Sequence, residues 1–201
     1  MKDFQADIAR YAASEYRNSL PVLLLKEGLW ALAEYRFSHW VYFHVKNPIL
    51  RPILIVISIL WHKLIVIITR IELPKYTHIA PGLYIPHGGG IVIHPDVHIG
   101  KNCTISHEVT IGIGGRGNKK GCPTIGEEVY IAPGVKIFGK VTIADQVAIG
   151  ANAVVTKDLP SKAVAVGIPA KVISHEGSAD FICTPERVVQ PYWETESSSS
   201  E

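Results

Sequence analysis

Ile93-His94-Pro95-Asp96-Val97-His98-Ile99-Gly100-Lys101-Asn102-Cys103-Thr104-Ile105-Ser106-His107-Glu108-Val109-Thr110-Ile111-Gly112 carries an isoleucine at every sixth position. After one jump of fourteen the register resumes at Ile125 and runs through Ile131, Ile137, Ile143 and Ile149 to Val155. Backwards it reaches Ile85, Ile79 and Leu73, with a step of eight between Ile85 and Ile93. Small or turn-forming residues often follow the branched one, as in Ile99-Gly100, Ile125-Gly126 and Ile131-Ala132. A fixed six-residue period marks a parallel β-helix. Each unit forms one short side, and three units make a triangular coil. The repeated aliphatic points inward and stacks on its copies above and below.

The 201 residues are 47% hydrophobic and 19% charged, enough apolar material for a sizeable core. A net charge of +2 is too balanced to argue for nucleic acid as a partner. Cys103, Cys122 and Cys183 form neither a disulfide framework nor a metal-ligand pattern, which fits a reducing compartment. The start, Met1-Lys2-Asp3-Phe4-Gln5, lacks a secretory pattern, so the expected location is cytoplasmic.

Residues 1–71 read as an α-helical N-terminal segment, residues 72–173 as the repeat domain, and 174–201 as a polar, partly disordered extension. Helix formers dominate from Leu20 to Tyr42, and Pro48 and Pro52 bracket a break. The apolar stretch after Pro52 is interrupted by His62-Lys63 and reads first as a helix buried in the subunit or oligomer core. A membrane span and a helix lying on the inner face of a membrane stay open as alternatives.

The two departures from the register are the informative places. The step of eight holds Pro86-His87-Gly88-Gly89-Gly90. The step of fourteen has eight residues to spare, so residues 112–123 must leave the coil as a loop, and such loops commonly carry function. Counting the two extra residues as a bulge, His87 and His107 each lie two residues after a register isoleucine. They therefore share a corner, one coil apart. A histidine beside glycines is a good general base, because its pKa lies near neutrality. His107 reads as a support behind that base or an acceptor contact, or else as a plain surface rung position. His78, His94 and His98 read as wall or turn residues without a role.

Glu72 through Lys171 resembles the catalytic half of the serine acetyltransferase branch of the hexapeptide-repeat acyltransferases. The residues that carry the likeness are His87-Gly88-Gly89-Gly90-Ile91-Val92-Ile93, the Val109-Thr110-Ile111-Gly112 run into the loop, and Val166-Gly167-Ile168-Pro169-Ala170-Lys171. The resemblance implies a mainly β fold, a left-handed parallel β-helix after an α-helical segment, assembled as a homotrimer with sites between subunits. It implies direct acetyl transfer from acetyl-CoA to a hydroxyl, with His87 as base, no metal, and no nucleophile from Cys122. Glu72, fifteen residues earlier, would hold the imidazole in the right tautomer. Gly114, Gly115, Ala132 and Ala151 would line the pantetheine arm, and Lys171, with Lys119 or Lys120, would meet phosphate charge.

Enzymes of that branch place an aspartate before the catalytic histidine, and an arginine and a histidine at the end of the loop. Here those positions hold Pro86, Gly121 and Cys122. Losing charged clamps argues against serine and toward a neutral sugar hydroxyl, as in the capsular and exopolysaccharide O-acetyltransferases that the pattern also resembles. Serine with a rebuilt recognition site is the alternative acceptor, and a non-catalytic scaffold trimer is a further one.

Overall fold

The computed structural model describes residues 2–14 and 25–187. The expected helical run from Leu20 to Leu24 and the tail beyond residue 187 lie outside the described residues. Among the described residues three helices precede the strands: α1 (Lys2–Ser14), α2 (Glu27–His44) and α3 (Leu50–Thr69). Pro48 falls in the break, but Pro52 sits inside the first turn of α3, where the missing N–H has no helical partner to lose. The Asn47 side chain accepts the Ile49 and Leu50 amides at 3.0 Å and so starts the helix. Arg70, left-handed at φ 54°, ends it by donating its N–H to Val66 O.

Strands begin at Ile71 and visit three parallel sheets in rotation. The first sheet holds β1 (Ile71–Glu72), β3 (Ile91–Ile93), β6 (Thr110–Gly112), β9 (Lys136–Phe138) and β12 (Val154–Val155). The second holds β2 (His78–Ile79), β4 (His98–Ile99), β7 (Thr124–Ile125) and β10 (Thr142–Ile143). The third holds β5 (Thr104–Ile105), β8 (Tyr130–Ile131), β11 (Ala148–Ile149) and β13 (Val164–Val166), edged by antiparallel β14 (Lys171–Ser174). The fold is mainly β with N-terminal helices.

The six-residue register matches the core. Every register residue from Ile79 to Val155 is at most 6% exposed, and most are fully covered. A second inward column, two residues earlier, joins them: Val97, Cys103, Val109, Val129, Val135, Val141 and Val147 are buried too. Cys103 is therefore core, its thiol pushed up to about 12 by burial. Corners three residues past the register position take the left-handed conformation, even at Asn102, Glu108, Glu128, Gln146 and Asn152.

Helices α1 and α2 close the first coil. The Tyr11 hydroxyl donates to Ile85 O at 3.0 Å and accepts from Ile85 N at 3.1 Å. The Tyr35 hydroxyl donates to Thr77 O at 2.7 Å and accepts from Ile79 N at 3.2 Å. Buried Asp7 pairs with Arg36 at 2.8 Å and accepts the Gly82 amide at 2.8 Å. Burial still pushes the Asp7 carboxyl above its usual range.

Candidate active site

The surplus residues 86–90 project at the corner between the third and first sheets. Their backbone is tied to the end of α3: Gly89 N–H donates to Thr69 O at 2.8 Å, and Ile91 N–H to Arg70 O at 3.1 Å. Gly89 and Gly90 have φ of +105° and +67°, which L side chains resist. A side chain on Gly88 would have to push the Glu27 carboxylate aside. A Cβ there would lie 2.1 Å from Glu27 Oε2 and 3.0 Å from Thr69 O.

His87 is exposed and His107 half-buried, with ring centroids 6.3 Å apart in an edge-on arrangement. The counted register thus brings the two histidines to one corner, one coil apart. Ala151 sits two residues past its register position, as the histidines do, and is exposed, whereas Ala132 is buried. Glu72 lies on the outer side of β1, beside Val92 of β3. Among the described residues no hydrogen bond joins it to His87. Its side chain instead lines a groove of about 640 Å³ with Val92, His94, Thr110, Gly112 and Phe138.

Gly114 and Gly121 clasp the base of the loop, each N–H donating to the other's carbonyl at 3.1 Å. A Cβ on Gly114 would lie 2.9 Å from Gly139 N, so the loop leaves flush against the next coil. Gly115 is left-handed at φ +82°. The glycines therefore stand at the far edge of the first sheet from Ala132 and Ala151. Lys120 and Lys171 are exposed, and the Lys119 side chain lies outside the described residues.

Two features escape the sequence reading. The Glu27 carboxylate reaches Gly88 from α2, outside the repeat altogether. His94, read as a plain wall residue, pairs with Cys122 at 3.2 Å. The Asp96 amide donates to the same His94 Nδ1, so that nitrogen is the acceptor and the Cys122 S–H the donor. Burial, then the Asp96 carboxylate, push the Cys122 thiol up, which keeps it protonated. The register contained part of this signal, since Asp96 and Cys122 both lie three residues before a register isoleucine.

No family model matches the chain. It is 39% identical over 160 residues to a serine acetyltransferase of Helicobacter pylori, covering 80% of this chain and 89% of that one. Similar solved structures include serine acetyltransferases of Vibrio cholerae (TM-score 0.71, 24% identity, 87% of this chain and 65% of that one). A Neisseria gonorrhoeae serine acetyltransferase in complex with serine gives TM-score 0.72 at 25% identity, covering 86% of this chain and 68% of that one. A Brucella abortus serine acetyltransferase in complex with coenzyme A gives TM-score 0.75 at 24% identity, covering 91% and 69%.

Fold and sequence define an acyltransferase of the hexapeptide-repeat kind. The chain belongs to the serine acetyltransferase family. This overturns the expected sugar or polysaccharide acceptor and the capsular resemblance, because the relatives it matches are serine acetyltransferases. Pro86, Gly121 and Cys122 belong to the coils and the loop, whereas α2 delivers the Glu27 carboxylate to the same corner from outside the repeat.

Proposed function

We propose that the chain transfers the acetyl group of acetyl-CoA to the hydroxyl of serine, with His87 as general base. The observation that supports this most is the 39% identity to a serine acetyltransferase across 80% of the chain. His87 Nε2 or Nδ1 takes the proton of the serine hydroxyl as the oxygen attacks the thioester carbon. The tetrahedral oxyanion collapses, the C–S bond breaks, and the imidazolium returns the proton to the departing thiolate. The products are O-acetylserine and CoA. Backbone N–H groups at the corner stabilise the oxyanion. Glu72 orients the imidazole once substrates fill the groove, since catalytic hydrogen bonds often tighten only in the complex. Glu27 supplies the negative charge for the serine ammonium that Pro86 cannot.

Acetyl-CoA is the acyl donor, its arm running along the first sheet past Gly114, Gly115, Ala132 and Ala151 toward Lys171. The assembly is a homotrimer of left-handed parallel β-helices, and the location cytoplasmic. The helical segment 1–71, the repeat domain 72–173 and the extension 174–201 divide the labour in that order.

His87→Ala tests the mechanism. Its expected effect is a loss of turnover of roughly 10²–10⁴-fold, the usual worth of a general base, with acetyl-CoA binding retained. A variant as active as the parent would contradict it.

A further inference from the structure

We propose that the outward face of α3 binds an anionic lipid surface, with the helix lying along it. By length and composition α3 could cross a membrane, yet only 17% of its most apolar window is buried. Ile53, Val56, Leu60, Leu64 and Ile67 form one stripe at helical spacing, all between 54% and 76% exposed. The opposite stripe, which packs on the rest of the chain, carries the polar groups. Ser58 bonds Ser38 at 2.7 Å, His62 meets Glu34 at 3.0 Å, and the Thr69 hydroxyl turns back to Ile65 O. This helix is therefore inside out for a water-facing element: polar toward protein, apolar away from it. A continuous exposed apolar patch marks a binding surface.

The charge around the patch selects the occupant. Residues 50–69 contain no acidic side chain. Lys46, Arg51, Lys63 and Arg70 are all exposed along the helix and at its two ends. A second copy of the chain would bring this cationic fringe against itself. An anionic headgroup layer would neutralise it while the apolar stripe enters the acyl boundary, the arrangement of interfacial helices. Trp61 and Trp40 lie beside the stripe through Phe37, whose ring centroid is 5.4 Å from Trp61 and 6.3 Å from Trp40. Such rings favour the headgroup level. The helix lies flat because Ser58, Ile65 and Thr69 are buried against protein and β1 begins two residues after Thr69.

The test is co-sedimentation of the full chain with phosphatidylglycerol vesicles and with phosphatidylcholine vesicles. The expected result is binding to the anionic vesicles, weakened by salt, and weaker binding to the neutral ones. The double variant Leu60→Asp, Ile67→Asp should lose that binding at least tenfold, with thiol release from acetyl-CoA and oligomer mass by light scattering unchanged. Failure of the parent to bind anionic vesicles would overturn the proposal. So would a double variant that still binds, or one whose oligomer mass falls, which would assign the face to a second copy.

Discussion

Gly88 lies between a helix-borne carboxylate and the last carbonyl of α3, that of Thr69. A side chain there would displace Glu27, whereas Gly89 and Gly90 have room for a Cβ and are set instead by their positive φ. The run is plain in the sequence, but the reason for it is not, because Glu27 lies about sixty residues earlier. The same holds for His94 and Cys122, which meet only because the loop returns one coil away. If Glu27 faces the acceptor's ammonium, Glu27→Gln should raise the KM for serine about two- to fivefold, the scale of an exposed ion pair, while kcat is largely kept. Steady-state kinetics at varied serine separate this from loss of packing, which would lower kcat and thermal stability together.

The elements show where sequence reading ends. Parallel strands are fixed by a period, so the three sides and the register column of isoleucines could be counted from Ile93 onward, while the second inward column from Val97 to Val147 came only with the structure. The first coil has no coil beneath it, and an uncovered edge leaves backbone donors and acceptors without partners. Tyr11 and Tyr35 answer this by each serving as donor and acceptor to one edge. Neither could be foreseen, since Tyr11 and Ile85 are 74 residues apart in sequence. Within the single chain α3 is buried along one stripe only, because periodicity reports how apolar a segment is and not what covers it. Tyr11→Phe removes both bonds to buried Ile85 and should cost about 1–3 kcal/mol. Thermal unfolding monitored by circular dichroism should show a fall of a few degrees in Tm. An unchanged Tm would mean that water replaces the hydroxyl at that edge.

At the scale of the whole molecule, the regular coils form a wall, and the proposed chemistry sits at its irregularities. The slip of two residues projects His87 beside His107, and the surplus of eight builds the loop clasped at Gly114 and Gly121. Helix α2, which helps cap the first coil, also brings Glu27 to the corner of Gly88, so the proposed acceptor site shares an element with the cap of the repeat. Serine as acceptor is the central claim, since the coil and loop positions alone pointed elsewhere. It is tested most directly by CoA thiol release from acetyl-CoA with L-serine as the only acceptor, with the product identified by mass spectrometry. The account predicts serine-dependent release matched mole for mole by O-acetylserine. No release above the rate of acetyl-CoA hydrolysis at saturating serine would contradict it.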